Sequence, residues 1–339
     1  MLVEPAPGVT EPQDDDRACW RVSSGSASVL GLRPAAVDVA PTTAYLMLGE
    51  RCRRNCAFCA QARQSTAGVA ALSRVTWPEF DAEAVAAAVA DAHARGAIGR
   101  ACFQATTTPG YRQMAREAVA QLAAHSAVPV CVSIGLTSPD EVAPLLAAGA
   151  QRVSMALDVA CPRIYGEIKG GDWHQAVDLL ERCAERYPGR IGTHLIVGLG
   201  ESEHEMACCI QRMADAGITV ALFAFTPVRG TAMADRQPPA LGHYRRMQVA
   251  RKLIVERLAR AQDFVYDEGR LIGFGPTMPW LREWLRDGEA FRTSGCPDCN
   301  RPYYNERPGG ILYNYPRPLT PDEVDREIES LLSDLSHTA

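Results

Sequence analysis

Residues 43–61 read TAYLMLGERCRRNCAFCAQ, an apolar run followed at once by a loop that contains Cys52, Cys56 and Cys59. Three thiolates this close together can bind three irons of a cubane cluster and leave the fourth iron open to a small molecule. A structural zinc site normally takes four ligands in two pairs, and the next histidine, His93, lies in a different predicted element. The loop therefore predicts a site-differentiated [4Fe–4S] cluster, with zinc or a chance grouping as the alternatives.

The apolar run is the first of six that alternate with Ala-rich amphipathic stretches. The runs are apolar on both faces, as strands buried between helices and a lumen should be. They read TAYLML, RACFQAT, VPVCVSI, RVSMAL, IGTHLIV and TVALFAF, and the intervening pattern predicts helices over 79–95, 112–125, 139–147, 173–187, 203–216 and 243–260. This alternation predicts an α/β fold with parallel strands and helices outside.

Such a series forms either an open doubly wound sheet or a barrel. No G-x-G-x-x-G opens the first helix, which disfavours a dinucleotide-binding sheet. Polar or glycine-containing residues follow most strands, where barrel enzymes build their active sites. We expect a partial (β/α)6 barrel of the TIM type over residues 42–290, with an N-terminal arm (1–41) and a C-terminal cap (291–339).

The composition limits the possible partners. The 339 residues are 47% hydrophobic and have a formal net charge of -5, so no overall positive field attracts nucleic acid or anionic lipid. The apolar stretches are too short to span a membrane, and the first twenty residues do not resemble a secretory signal. We therefore expect a cytoplasmic protein without disulfides. Four of the twelve cysteines are interpreted as small buried apolar side chains: Cys161, Cys183, Cys208 and Cys209.

The cysteine loop resembles the C-x3-C-x-φ-C loop of the radical S-adenosylmethionine (SAM) superfamily, with Phe58 at the aromatic, cofactor-binding position. The resemblance implies that SAM binds the open iron and is cleaved to methionine and a 5′-deoxyadenosyl radical. That radical removes a hydrogen atom from an unactivated carbon. Cys52, Cys56 and Cys59 are then the catalytic cluster ligands.

Further stretches are similar to the biotin synthase-like branch of that superfamily, notably residues 129–168. Asp158 falls where the branch places an acid on the SAM ribose, with a turn cap as the alternative. HLIVGLGES (194–202) matches the G-x-I-x-G-x-x-E element except that His194 replaces the first glycine. The resemblance implies that Ile196 packs on the adenine, Gly198 allows close backbone approach and Glu201 holds the loop. The sequence identifies no basic partner for the SAM carboxylate.

Biotin synthase holds a second, sacrificial [2Fe–2S] cluster on three cysteines and an arginine. Cys102 and Cys131 match two of these positions, but Gly192 and Tyr266 stand at the others. The resemblance therefore disfavours a biotin-type cluster. Cys102 and Cys131 are equally well interpreted as buried barrel residues.

The C-terminal part adds GCPDCN, in which Cys296 and Cys299 form a C-x2-C turn. Such a turn is a half-site for zinc or for an iron–sulfur cluster, and an unligated thiol pair is the remaining alternative. It predicts a second metal site whose other ligands come from elsewhere. The candidates are Cys19, Ser294, Cys102 and Cys131.

Together with RVSSGSASVLGL (21–32), this C-terminal sequence resembles the two-component lipoyl synthases over about residues 21–318. The resemblance implies sulfur insertion into a protein-bound octanoyl chain, with an auxiliary [4Fe–4S] cluster as the sulfur source. The implied partners are an octanoylated lipoyl carrier domain or glycine cleavage H-type protein, a second radical SAM component, and a low-potential ferredoxin or flavodoxin. The alternatives are another biotin synthase-like reaction, such as biotin formation, rearrangement or metallocofactor maturation, and a non-catalytic metal-binding protein. The candidates for positioning the acyl-lysine amide or the cap are Arg292, Arg301, Tyr303, Tyr304 and Asn305, with surface packing of the tail as the alternative.

Overall fold

Each of the six apolar runs forms a strand. The computed structural model describes residues 18–34, 36–307 and 309–336, so the first 17 residues of the predicted arm and the last three of the predicted cap lie outside the described residues. The strands are β1 (Cys19–Val22), β2 (Thr43–Leu48), β3 (Ala71–Leu72), β4 (Val75–Thr76), β5 (Glu79–Asp81), β6 (Arg100–Ala105), β7 (Val130–Ser133), β8 (Ala150–Ser154), β9 (Ile191–Val197), β10 (Thr219–Ala224), β11 (Val265–Asp267) and β12 (Arg270–Gly273). The α-helices are α1 (Ser24–Val29), α2 (Ala82–Ala94), α3 (Tyr111–His125), α4 (Val142–Ala147), α5 (Pro162–Ile168), α6 (Trp173–Arg186), α7 (Glu203–Asp215), α8 (Leu241–Val255), α9 (Met278–Trp284) and α10 (Pro321–Ser336).

Eight strands form the main sheet, in the order β10-β9-β8-β7-β6-β2-β1-β5. The six strands from β10 to β2 are parallel, whereas β1 and β5 are antiparallel additions at one edge. Side chains from all six parallel strands line one central cavity, so the sheet curves around it as a partial barrel. The predicted fold class is confirmed.

The predicted helices form with small shifts at their ends. Helix α2 begins at Ala82, not at Glu79, because residues 79–81 pair with β1. Asp81 then caps the helix by accepting a hydrogen bond from the Ala84 N–H (2.9 Å). Among the described residues, no helix is both long enough and apolar enough to cross a bilayer.

The described part of the N-terminal arm is more ordered than its Ser- and Gly-rich composition predicts. Strand β1 lies between β2 and β5, and its Trp20 and Val22 side chains are buried. The Trp20 ring meets Phe103 of β6 edge-on, with ring centres 5.0 Å apart. Four residues are too few for a strand periodicity to be recognised in the sequence.

The cap segment, residues 294–305, closes the open side of the barrel between β10 and β2. The Leu222 N–H of β10 donates to Ser294 Oγ (2.9 Å), and Arg301 donates to the Leu222 carbonyl (3.2 Å). On the other side, the Arg301 N–H donates to the hydroxyl of Tyr45 in β2 (2.8 Å). These bonds satisfy backbone groups that the edge strand β10 would otherwise leave unpaired.

Candidate active site

The three cysteines of the predicted cluster loop lie beyond the carboxyl end of β2, which we call the upper end of the barrel. The Cys59 N–H donates to the Cys56 carbonyl (3.1 Å), and the Cys52 N–H donates to the Gln61 carbonyl (3.0 Å). Arg51 braces the loop through bonds to three carbonyls within residues 60–67. The three thiols therefore belong to one compact turn.

The surroundings of these sulfurs fit a metal cluster. The backbone N–H groups of Arg54 and Thr107 each lie 3.4 Å from Cys52 Sγ, and hydrogen bonds of this kind tune cluster thiolates. Burial raises the pKa of the Cys56 thiol, and it raises the pKa of the Cys59 thiol to about 12. Both thiols are therefore harder to deprotonate than a free cysteine, and a metal that bound them would displace their protons.

A single-metal site does not fit the same loop. No three His, Cys, Asp or Glu side chains of the described residues surround a point where one metal ion could bind. In a cubane each cysteine binds a different iron, so the thiols need not converge on one point. The cluster assignment of this loop therefore stays a prediction.

Asp158 and Lys169 form a buried ion pair beside the loop, with Lys169 Nζ 2.7 Å from Asp158 Oδ2. Asp158 has a left-handed backbone (φ 61°), and it exchanges backbone hydrogen bonds with His194 (2.7 Å) and Ile196 (2.8 Å) of β9. The Lys169 carbonyl accepts from the Cys56 thiol (4.0 Å). The sequence singled out Asp158 but not Lys169, because the pairing depends on how the chain returns to the loop after α5.

Glu201 holds the turn that follows β9. Its carboxylate accepts from the backbone N–H groups of residues 198–200, at 2.7, 2.9 and 3.1 Å. Gly198 has a φ of 98°, and a Cβ there would lie 2.9 Å from Pro239. Pro239 therefore leaves no room for a side chain at Gly198, and the expected backbone approach to the cofactor stays a prediction. Ile196 lines the central cavity, as its predicted role requires.

Four cysteines from distant parts of the sequence meet towards the amino ends of the strands, which we call the lower end. Cys131 Sγ lies 3.4 Å from Cys296 Sγ, and Cys102 is the register partner of Cys131 across β6 and β7. Cys102 and Cys299 pack against the same small aromatic cluster. All four line the central cavity. We call them the lower cysteine group: Cys102, Cys131, Cys296 and Cys299.

Two arginines face this group, and neither has a carboxylate partner among the described residues. Arg100 Nη1 lies 3.2 Å from Cys131 Sγ, and Arg301 Nη1 lies 3.4 Å from Cys299 Sγ. Both side chains are buried, and the Arg301 guanidinium lies 4.0 Å from the centre of the Phe223 ring. Buried cations without acids favour an anionic group, such as a thiolate-bound cluster, in the space between them.

Other predicted candidates lie elsewhere. Cys19 is exposed on β1, opposite Asp81 of β5, and does not line the central cavity, so it does not complete the lower cysteine group. The Ser294 hydroxyl binds the edge of β10. Tyr266 lies on the β11–β12 hairpin, outside the cavity lining. Cys208, expected to be buried, is exposed on α7, whereas the other three cysteines of that set are buried.

The central cavity, of about 190 Å³, joins the two ends of the barrel. Phe58 and Cys59 line its upper part, and the lower cysteine group lines its other end. His194 lies between them, where burial lowers its pKa to about 4, so that its imidazole is neutral. A molecule held at the loop and a group held by the lower cysteines would share one enclosed space.

Comparison with known proteins identifies the loop and the strands around it. The family described as the radical SAM superfamily matches residues 46–213. A biotin synthase of Bordetella avium (strain 197N) is 27% identical over 195 residues, covering 55% of this chain and 57% of that protein. A biotin synthase of Synechococcus sp. (strain JA-3-3Ab) is 26% identical over 196 residues, covering 56% and 61%. The chain thus spans about three fifths of the length of these curated relatives.

Solved structures agree on the fold. Methylornithine synthase (PylB) superposes with a TM-score of 0.52 at 12% identity, covering 68% of this chain and 66% of that one. HydG, a maturase of the [FeFe]-hydrogenase, gives a TM-score of 0.51 at 13% identity, covering 63% and 50%. At this identity the likeness concerns the barrel alone.

Proposed function

We propose that the chain is a radical SAM enzyme of the biotin synthase-like type, and that it inserts sulfur into an unactivated C–H bond of a protein-bound octanoyl chain. The proposal assigns Cys52, Cys56 and Cys59 to a [4Fe–4S] cluster that binds SAM. It assigns a second, sulfur-donating [4Fe–4S] cluster to the lower end of the barrel.

One observation carries the proposal: the lower cysteine group faces the SAM loop across a single cavity. Four thiols are a complete ligand set for a cubane. The position that would complete a biotin-type set, Gly192, has no side chain, and a Cβ there would meet Ser154 Oγ at 2.7 Å. Cys296 and Cys299 of the cap supply thiols in its place.

When bound, SAM and its cluster would supply a primary carbon radical, which can break a C–H bond that no general base can ionise. The chain's own residues position and enclose the reaction. Asp158, held by Lys169, would receive the ribose, and Ile196 would pack on the adenine. The cap segment closes the side of the barrel, and excluding water in this way protects a reactive radical from side reactions. Since sulfur donor and radical share one cavity, transfer could follow at once.

The partners follow from the same proposal. The octanoyl chain would arrive on a lipoyl carrier domain or a glycine cleavage H-type protein, and a second radical SAM component would insert the other sulfur. A low-potential ferredoxin or flavodoxin would supply electrons. The exposed Arg53, Arg54 and Arg63 beside the cluster loop provide a positive surface for such acidic carriers.

The curated relatives favour a second candidate, another reaction of the biotin synthase-like type, including sulfur insertion in biotin formation. One experiment separates the two. An octanoylated carrier peptide is incubated anaerobically with the enzyme, SAM and dithionite, and then weighed by mass spectrometry. A gain of one sulfur per peptide supports the lipoyl-type reaction. Formation of 5′-deoxyadenosine without a mass change contradicts the proposed substrate.

A further inference from the structure

A second opening lies below the lower cysteine group. It is a pocket of about 550 Å³ between the amino ends of the strands, α8 and the cap segment. Thr219, Gly295 and Cys296 line both this pocket and the central cavity. Cys296 therefore stands in a thin partition that can be approached from above and from below.

The charges around the lower opening are mostly paired. Lys252 lies 3.1 Å from Glu256 and 3.3 Å from Asp287. Arg292 pairs with Glu289 across the rim (2.5 Å). These two cations offset two of the three carboxylate charges that line the pocket.

Two cations remain without an acid among the described residues. Arg152 Nη1 donates to Thr219 Oγ1 (2.6 Å), and Arg251 Nε donates to the Val220 carbonyl (2.8 Å). Both acceptors are neutral, and the four cations that line the opening outnumber its three carboxylates. Burial lowers the pKa of Arg251 to about 10, which still leaves it charged at neutral pH. The inner wall of the opening is therefore positive, and it leads to Cys296.

We propose that the lower opening, lined by Arg152 and Arg251, admits and binds a small anionic sulfur species, hydrosulfide, beside Cys296. The inference rests on the proposed function, because a sulfur-donating cluster is consumed and must regain sulfide. The upper end is reserved for SAM and substrate, whereas a small anion can use the lower route. Binding at this step makes and breaks no bond.

The first test uses the full-length, metal-free protein and two alkylating reagents that differ in charge. The anionic reagent is iodoacetate and the neutral one is iodoacetamide. Peptide mass spectrometry measures the rate at which each reagent labels Cys296. Both reagents react with the thiolate, so a change in the thiolate fraction of Cys296 alters both labelling rates equally. The ratio of the two rates therefore reports only how the charge of the reagent affects its access. We expect Arg152→Gln with Arg251→Gln to lower this ratio about tenfold, the lower range of electrostatic steering.

Two controls make the result specific. Arg251→Lys keeps the charge and should keep most of the ratio, whereas Arg251→Gln should not. Cys52, at the other end of the barrel, should keep its own ratio in every variant, which also shows that the variants fold. An unchanged ratio at Cys296 in the double variant would overturn the inference.

A second test follows cluster assembly in a chain carrying Cys52→Ala, Cys56→Ala and Cys59→Ala. With ferrous iron fixed, the sulfide-dependent rise of cluster absorbance should be about tenfold slower when both arginines are replaced, and high salt should reduce the difference. Equal assembly rates with and without the two arginines would overturn the proposal that sulfide enters through the lower opening. If no cluster forms even with both arginines present, the proposed auxiliary cluster is contradicted. The alkylation ratio still tests whether the lower opening attracts anions.

Discussion

The sulfur atoms of Cys131 and Cys296 lie 3.4 Å apart, although 165 positions separate the two residues in the sequence. Cys131 belongs to a barrel strand and Cys296 to the cap segment. The lower cysteine group therefore exists only when the cap is folded against the barrel. The two cap cysteines, Cys296 and Cys299, can therefore be replaced without changing the two strand cysteines, Cys102 and Cys131.

Replacing Cys296 and Cys299 by alanine should prevent only the proposed lower cluster from forming. We expect iron to fall from about eight to about four per chain after anaerobic reconstitution, because each cubane holds four irons. Cleavage of SAM should persist, since the upper loop is untouched, but sulfur transfer should be lost. Iron analysis and 5′-deoxyadenosine assays measure the two effects. Cys208→Ala, at an exposed thiol, is the matched control, and eight irons in the double variant would contradict the ligand assignment.

Lys169→Met should destabilise the proposed SAM site. It leaves the Asp158 carboxylate buried without its cation, and breaking a buried pair typically costs about 3–5 kcal/mol. We expect a lower free energy of unfolding in urea and a large loss of 5′-deoxyadenosine formation. Arg186→Met, which breaks an exposed pair with Asp140, should change neither quantity appreciably. Full stability and activity in Lys169→Met would show that the pair is dispensable.

His194 should make stability depend on pH. Its pKa is lowered by burial to about 4, below the ordinary value of about 6.5. Between these values the unfolded chain binds the extra proton and the folded chain does not. The free energy of unfolding of the metal-free protein should therefore fall as pH is lowered from about 6.5 to about 4. His194→Gln should flatten the curve in that window, and an equal slope in both proteins would assign the dependence to other groups.

Gly198→Ala should cost more than a comparable glycine substitution. At Gly198 a Cβ combines a positive φ with a 2.9 Å contact to Pro239, whereas Gly217 has a positive φ (70°) and open space around its Cβ position. We expect a loss of about 1–3 kcal/mol at Gly198 and about 1 kcal/mol at Gly217. Denaturant midpoints of the two variants measure the difference. Equal losses would mean that Pro239 moves aside without cost.

The strands and helices of the barrel could be predicted because each buries a regular apolar face. Strand β9 forms over the run IGTHLIV, and α3 starts one residue before its predicted start. Where a short segment is held mainly by pairing with a neighbouring strand, its own hydrophobic pattern is too weak to predict its structure. Strand β1 and the delayed start of α2 both result from pairing between residues 19–21 and 79–81.

The upper loop was predictable because its three cysteines are close in sequence. The lower cysteine group could be predicted only in part, because its members come from two strands and the cap segment and are far apart in the sequence. Cys102 and Cys131 were candidates, but so was Cys19, and spacing alone could not tell which one the fold brings to Cys296. Lys169 was missed because nothing in the sequence pairs it with Asp158. The ion pair forms only when the folded backbone brings the two side chains together.

The cap segment follows all six parallel strands in the chain, so it is synthesised after them. When β10 has just been made, the residues that bond to its outer edge do not yet exist. Only later do residues 294–305 arrive to seal that side and deliver the last two thiols. One stretch of chain therefore both covers that side of the cavity and brings Cys296 and Cys299 to it, so neither can happen without the other.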